Sequence, residues 1–201
     1  MIVTLPSTAG YIEVICGSMF SGKTQELIAR LRVAVSAGLH VRAFKHQIDD
    51  RYDADHLITH TLDRFDALRV PNARAIEAGS VDARVIGIDE GHFFGAELVD
   101  TARRLVELGK RVIVVGLEND AWGQPFSPMP ELAAMAVEVI CKYAPCRVCG
   151  KPAIYSQRLV PVGDRCMVGG AGAYEPRCDE HFTPLAVAER DAPPAASPQG
   201  S

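Results

Sequence analysis

The sequence predicts an α/β fold in which a parallel sheet is flanked by helices and followed by a small second domain. Two observations lead to this prediction. Short apolar runs rich in β-branched residues alternate with stretches of helical periodicity, which is the pattern of parallel βαβ units. From Pro145 onward that periodicity ends, and cysteine, glycine and proline become dense. We therefore predict a main domain over residues 1–143, a smaller domain over 144–190 and a disordered tail over 191–201.

The main domain is expected to contain five strands and three helices. Leu27, Leu31 and Val35 recur at helical spacing in the first helix. The charged stretch 46–68 is predicted as a long loop or mobile flap, and the Gly- and Pro-rich stretch 119–130 as a second loop. The predicted strands cover residues 11–16, 41–45, 85–89, 111–117 and 137–143, and the predicted helices cover 23–37, 96–108 and 131–136.

The composition disfavours several classes of protein. Hydrophobic residues make up 48% of the 201 residues, charged residues 23%, and the formal net charge is −4. This mild acidity disfavours nonspecific nucleic-acid binding, and without a run of eighteen apolar residues no membrane span is expected. The amino terminus lacks the basic and apolar regions of a secretory signal. We expect a cytoplasmic protein with reduced thiols, in which grouped cysteines indicate a metal rather than disulfides.

A glycine-rich motif, GSMFSGKT over residues 17–24, stands between the first predicted strand and helix. In this pattern glycines let backbone N–H groups point at phosphate oxygens, and the following helix presents its positive end to the same anion. Lys23 is expected to reach the β- and γ-phosphates, and the Thr24 hydroxyl to bind Mg²⁺. A chance match in a loop is disfavoured by this strand-to-helix context, so the fold is predicted to be P-loop NTPase-like (RecA-like). The predicted ATP-binding residues of this phosphate loop are Gly17, Ser18, Met19, Phe20, Ser21, Gly22, Lys23 and Thr24.

Two acidic residues end the predicted strand over 85–89. Asp89 is expected to bind Mg²⁺ and the nucleotide, and Glu90 to act as a general base toward an attacking oxygen. The alternative for Asp89 is a cap on the following helix. The pair leaves the nucleophile open, because an ATPase activates water with such a base and a kinase deprotonates a substrate hydroxyl.

Four metal-ligand side chains occur in two halves of the second domain. Cys146-x-x-Cys149 and Cys178-x-x-His181 supply three thiolates and one imidazole, the ligand set of a closed structural zinc site. A chance pattern is disfavoured because both halves are present. A redox pair of Cys146 and Cys149 would leave Cys178 and His181 unexplained. The metal is expected to tie the ends of a lid-like loop over 150–177. The remaining cysteines look unpaired; Cys16 and Cys141, in apolar runs, are expected to be small core residues.

Taken together, these motifs resemble those of the small, zinc-containing (type II) thymidine kinases. The resemblance rests on GSMFSGKT, on DEGHFF at residues 89–94, on FKHQIDDRY at 44–52, and on CRVCGKPAIYSQR, VGGAGAY and CDEH in the carboxyl-terminal part. It covers residues 11–185. It implies transfer of a phosphoryl group from Mg²⁺-bound ATP to the 5′-hydroxyl of thymidine, with Glu90 as the base on that hydroxyl. It also implies structural Zn²⁺, a homotetramer and feedback inhibition by thymidine triphosphate.

The resemblance also implies which residues surround the substrates. Arg51 would lie near the transferred phosphate, with Asp49 a further candidate there. A zinc-pinned lasso in the domain over 144–190 would hold the pyrimidine edge through main-chain groups. The implied residues around the base are Met19, Phe93, Leu117 and Phe126, with Val168, Gly169 and Gly170 in the lasso and Tyr174 packing over it.

The chain departs from the family pattern at four positions. Glu118 replaces an Asp, Ala121 replaces an aromatic residue, Trp122 stands where a polar residue is common, and His92 replaces a Gln. Trp122 could take the place of the missing aromatic side chain if the loop were rotated by one residue. These departures leave open a nucleoside kinase or nucleotide-binding remnant with altered base preference. A P-loop ATPase whose zinc ribbon acts on nucleic acid is a second alternative.

Overall fold

The structure is a computed structural model and describes residues 9–49, 56–58, 64–160 and 172–186. Two short 3-10 helices (Gly91–Phe94 and Asp179–His181) accompany four α-helices and twelve strands in these ranges. Along the chain the elements are β1 (Tyr11–Gly17), α1 (Lys23–Ser36), β2 (Val41–His46), β3 (His56–Ile58), β4 (Arg64–Asp66), β5 (Leu68–Val70), α2 (Ala73–Gly79), β6 (Val85–Asp89), α3 (Glu97–Glu107), β7 (Arg111–Val115), α4 (Met129–Met135), β8 (Glu138–Lys142), β9 (Ala144–Pro145), β10 (Pro152–Ala153), β11 (Tyr155–Arg158) and β12 (Tyr174–Arg177).

The central sheet has six strands in the order β5-β2-β6-β7-β1-β8, and every neighbouring pair is parallel. The predicted parallel α/β fold of P-loop type is therefore confirmed. Parallel strands have their carboxyl ends at one edge, so the loops after β1, β6 and β7 meet there. Since β1 lies between β7 and β8, the phosphate loop emerges from the interior of this edge.

Two apolar cores cover the two faces of the sheet. On one face, α2, α3 and α4 pack against alternate residues of the strands, such as Ile12 and Val14 of β1. On the other, α1 and the β3–β4 pair pack against the intervening residues, such as Ile15. Strands covered on both sides read as continuous apolar runs, which is why they were recognisable in the sequence.

Helix α1 approaches the sheet closely at Gly87 of β6. A Cβ atom at this position would lie 2.8 Å from a methyl carbon of Leu31, so only glycine leaves room for the helix. Leu27 and Leu31 are fully buried as their spacing predicts, but Val35 is 51% exposed. Ala34 takes the place on the buried face that the sequence assigned to Val35.

The stretch 46–68 is more structured than predicted. In the residues that the structure describes, β3 pairs with β4 antiparallel, and β5 joins the edge of the central sheet. Leu57 is buried against α1, so packing stabilises a strand too short to be recognised from its own pattern. Helix α2 was also missed, although Asn72 caps it by accepting a hydrogen bond from the Ala75 N–H at 3.1 Å.

The carboxyl-terminal segment, hereafter the lasso segment (residues 144–160 and 172–186), consists of two small antiparallel pairs. Strand β9 pairs with β10, and β11 pairs with β12. Cys146, Cys178 and Ala153 are its buried centre. A three-residue core provides little hydrophobic stabilisation, which is the situation in which small units depend on a metal. Within the described residues, none of the helices combines the length and apolar character needed to cross a bilayer.

Candidate active site

The phosphate loop contains several residues with a positive φ. Gly17 has φ 131°, and a Cβ there would lie 1.9 Å from the Lys142 carbonyl oxygen. Phe20 has φ 63°, a conformation that costs energy for a residue with a side chain and that often marks a functional loop. The Ser21 hydroxyl oxygen is buried and has no hydrogen-bond partner among the described residues. A bound phosphate oxygen would supply that partner.

Lys23 and Thr24 begin helix α1 directly behind this loop. The Lys23 side chain is buried, and its Nζ donates to the Ser18 carbonyl oxygen at 2.7 Å, so it lies across the loop. The Thr24 Oγ1 donates to Asp89 Oδ2 at 3.0 Å. Two motifs 65 residues apart in the sequence are thus brought into direct contact at the carboxyl edge of the sheet.

Asp89 and Glu90 form the end of β6 and the turn after it. Glu90 has φ 49°, in the left-handed region, and its N–H donates to Asp89 Oδ1 at 3.1 Å. This strained turn directs the two carboxylates differently, with Asp89 held at Thr24. Helix α3 begins at Glu97 with Ala96 at its N-cap position, so Asp89 is not the residue that caps it.

His92 was not predicted as a site residue, yet it joins several that were. Its Nδ1 accepts a hydrogen bond from the Leu117 N–H at 3.2 Å and lies 3.6 Å from Glu90 Oε2. Its ring centroid lies 4.2 Å from that of Phe93 and 4.7 Å from that of Phe126. Accepting at Nδ1 places the proton of the neutral imidazole on Nε2. The buried ring thus links the turn after β6 to the loop after β7; the signal in the sequence was its position two residues after Glu90.

The phosphate loop is also bonded to the lasso segment. The Met19 N–H donates to the Ser156 Oγ at 2.9 Å, and the Ser18 Oγ donates to the Ala153 carbonyl oxygen at 2.8 Å. Both bonds are buried. The Met19 side chain is buried as well. The sequence gave no sign of Ser156, because nothing in a lone serine indicates a partner 137 residues away.

The remaining predicted substrate residues are only partly described. Asp49 is buried in the turn after β2, where its N–H donates to the His46 carbonyl oxygen at 3.0 Å. Tyr174 begins β12, with its hydroxyl 3.4 Å from Arg158 Nη1. The other four, Arg51, Val168, Gly169 and Gly170, lie outside the described residues.

Cys146, Cys149, Cys178 and His181 form a metal-binding cluster. Their ligand atoms all lie within 4.8 Å of one another. Cys149 Sγ is 3.6 Å from Cys178 Sγ, and His181 Nδ1 is 3.2 Å from Cys178 Sγ. Burial raises the pKa of the Cys146 thiol, but hydrogen bonds from backbone N–H groups outweigh it, and that pKa falls to about 6. Burial raises the pKa of the Cys178 thiol in the same cluster. The fit to a metal therefore comes from the residue types and their separation, because three thiols and one imidazole this close together suit a closed tetrahedral site.

Trp122 is hydrogen-bonded to the carboxyl-terminal part of the chain. The side chain is buried, and its Nε1–H donates to the Ala186 carbonyl oxygen at 3.2 Å. The Leu185 N–H donates to the Ala121 carbonyl oxygen at 3.4 Å. Asp120 holds this turn by accepting from the N–H groups of Trp122 and Gln124, both at 2.9 Å. The departures at 121 and 122 therefore coincide with a contact between this loop and residues 185–186.

The fold and the site together define a P-loop nucleotide-binding protein of the phosphotransferase type. A phosphate loop, the Thr24–Asp89 contact and an adjacent carboxylate lie at one sheet edge, with a metal-binding cluster in the lasso segment. The family model described as thymidine kinase matches residues 10–182, and the chain belongs to that family.

Similar proteins bear this out over nearly the whole chain. A thymidine kinase of Bdellovibrio bacteriovorus is 46% identical over 187 residues, which cover 92% of this chain and 90% of that protein. A thymidine kinase of a Rhodothermus species is 45% identical, covering 92% and 86% respectively. Among solved structures, the flagellar accessory protein FlaH of Methanocaldococcus jannaschii aligns with a TM-score of 0.44 and 12% identity over 67% of this chain and 71% of that chain, too weak a likeness to bear on function.

Proposed function

We propose that this protein is a thymidine kinase that transfers the γ-phosphoryl group of ATP to the 5′-hydroxyl of thymidine. The observation that carries the proposal is the meeting of Thr24, Asp89 and Glu90 beside the phosphate loop. The relatives support it because they match this chain over 86–90% of their own lengths.

The nucleotide would be held by the loop and the start of α1. Backbone N–H groups, the Ser21 hydroxyl and the positive end of α1 would surround the phosphates. The Lys23 ammonium, now on the Ser18 carbonyl oxygen at 2.7 Å, would turn to a phosphate oxygen when the nucleotide binds. Thr24 and Asp89 would hold Mg²⁺. When bound, that cation neutralises charge on the β- and γ-phosphates.

Glu90 would take the proton from the attacking 5′-hydroxyl. Its side chain is 13% exposed, so a substrate can reach it while most of the carboxylate is screened from water. The backbone turn at Glu90 separates its carboxylate from that of Asp89, so one can serve the metal and the other the acceptor. A general base of this kind contributes about 100- to 10,000-fold to a rate.

The thymine base would lie against the apolar groups around His92. Phe93, Leu117 and Phe126, implied by the family pattern to surround the base, all contact or border this imidazole. The roles of Met19, Asp49, Arg51, Val168, Gly169, Gly170 and Tyr174 toward the substrates are part of the same proposal. Their support is the family pattern.

Zn²⁺ is the metal we propose for the cluster in the lasso segment. Three thiolates and one imidazole leave no open position, so the ion would be structural. The two ligand pairs, Cys146–Cys149 and Cys178–His181, would close the loop that carries the predicted base contacts. We also retain as proposals the homotetramer, the feedback inhibition by thymidine triphosphate, the cytoplasmic location and the division of the chain at residues 143 and 190.

A coupled assay of ADP release separates this function from its rivals. The protein is incubated with Mg²⁺ and ATP alone, with thymidine, deoxyuridine or deoxycytidine, and with single-stranded DNA. We expect ADP release to depend on thymidine, and the thymidine product to carry a 5′-phosphate. Release stimulated by DNA alone would instead support the nucleic-acid ATPase, and release with another nucleoside but not thymidine would support altered base preference. The variant Lys23→Met is the control, because it removes the ammonium at the phosphate loop.

A further inference from the structure

Two cysteines outside the zinc cluster face each other beside the phosphate loop. Cys16 in β1 and Cys141 in β8 are paired in register, and their sulfur atoms lie 3.3 Å apart. Glu118 follows β7, the strand on the other side of β1. One carboxylate oxygen of Glu118 and both sulfur atoms lie within 4.8 Å of one another. The sequence predicts both cysteines as unpaired core residues; this is correct for the burial of Cys16, but Cys141 is exposed and in contact with it.

We infer that Cys16, Glu118 and Cys141 form a second metal site that takes a borderline or soft divalent cation such as Zn²⁺ or Cd²⁺. Two thiolates and a carboxylate are a ligand set for such ions, and water would complete the coordination. The topology brings the ligands together without a loop of their own, because three neighbouring strands end at the same edge. Cys141 is exposed and gives the ion a path in, whereas Cys16 is 5% exposed and forms the wall of the site.

The carboxylate favours a cation over a disulfide between the two cysteines. A disulfide between Cys16 and Cys141 would leave the Glu118 carboxylate beside two neutral sulfur atoms, whereas a divalent cation would be bound by all three side chains. On binding, the cation would displace the thiol protons to solvent.

Cadmium binding tests the site directly. The variant Cys166→Ser serves as the parent, so that the only cysteines are those of the two sites. Protein loaded with Cd²⁺ and freed of excess metal is expected to hold about two ions per chain and to give two cadmium NMR signals. Cys141→Ser should remove one signal and leave the signal of the three-thiolate, one-imidazole cluster. Cys149→Ser should instead perturb the signal of the three-thiolate, one-imidazole cluster. Glu118→Gln should shift only the signal that Cys141→Ser removes.

Two results would overturn the inference. One is a single cadmium signal that survives Cys141→Ser and is lost in Cys149→Ser. The other is a parent protein isolated with two thiols fewer by titration and a mass lower by two hydrogens, which would show a Cys16–Cys141 disulfide instead. Because Cys141 is exposed, its serine variant should fold, and thermal unfolding of that variant close to the parent checks this.

Discussion

The backbone N–H of Met19 donates to the hydroxyl of Ser156, which joins the phosphate loop to strand β11 of the lasso segment. The Ser18 Oγ and the Ala153 carbonyl oxygen make a second bond in parallel at 2.8 Å. Both lie out of water, where an unpaired N–H costs about 1–3 kcal/mol. These two bonds therefore connect the phosphate loop directly to the lasso segment.

Removing the Ser156 hydroxyl should weaken nucleotide binding although this side chain is not expected to touch the nucleotide. In Ser156→Ala the Met19 N–H loses its acceptor, and we expect the Kd for MgATP to rise about 5-fold, the equivalent of about 1 kcal/mol. Isothermal calorimetry measures this. Ser127→Ala is the matched control, because its hydroxyl makes only an exposed bond to Glu131. Equal affinities in both variants and the parent would show that the bond does not order the loop.

Loss of the metal cluster should affect the nucleoside more than ATP. In Cys149→Ser we expect zinc content to fall and the Kd for thymidine to rise at least about 10-fold, because the loop over 150–177 is no longer closed by a metal. Metal analysis and equilibrium binding measure the two effects. Val148→Ser is the control, since Val148 is an exposed neighbour within the same turn. A fall in zinc with unchanged thymidine affinity would refute the proposed role of the lasso segment.

The sequence predicted which motif residues lie together at the sheet edge better than it predicted their other contacts. Lys23, Thr24 and Asp89 could be singled out because phosphate binding demands residue types at fixed spacing after a strand. The sheet was found because strands buried on both faces read as apolar runs. The Cys16–Cys141 contact was missed because it arises from strand order, and the Ser156 contact because it arises from packing of the lasso segment on the phosphate loop; both join residues more than a hundred positions apart.

Short elements were missed for a different reason. Strand β3 has three residues, and it exists because Leu57 packs on α1 rather than because of its own periodicity. From the sequence, Trp122 is a possible replacement for the aromatic side chain missing from the base pocket. Its bond to Ala186 could not be foreseen, because the path of the carboxyl-terminal residues has no signature in the sequence.

His92 should act by positioning rather than by chemistry. His92→Leu removes the acceptor of the Leu117 N–H, and we expect kcat/KM for thymidine to fall about 10-fold, as one buried unpaired group implies. His92→Gln keeps a side-chain acceptor and should retain most of the activity. Steady-state kinetics of both variants at several pH values checks this. Equal losses in the two variants would indicate that the imidazole itself takes part in proton transfer.

Lys110 should be a strong determinant of stability far from the active site. Its buried ammonium donates to the carbonyl oxygens of Ser80 at 2.7 Å and Ala83 at 2.6 Å, and to that of Val81 at 3.2 Å. Lys110→Met removes the donor to all three carbonyl oxygens, of which, among the described residues, only that of Ser80 still accepts from the Ala83 N–H at 3.1 Å, and we expect the free energy of unfolding to fall by about 2–4 kcal/mol. Urea denaturation measures it. Arg103→Met, which removes an exposed ion pair with Asp100 and a long contact with Met135 Sδ, should change stability by less than about 1 kcal/mol.

The central claim is that the phosphate loop holds the triphosphate while Glu90 deprotonates an acceptor hydroxyl beside it. The most direct test measures thymidine phosphorylation and MgATP affinity on the same sample of Glu90→Gln, with Glu97→Gln, on the exposed start of α3, as the control. We predict that turnover falls about 100- to 10,000-fold while the Kd for MgATP stays within about 2-fold of the parent. Turnover close to that of the parent would contradict the account.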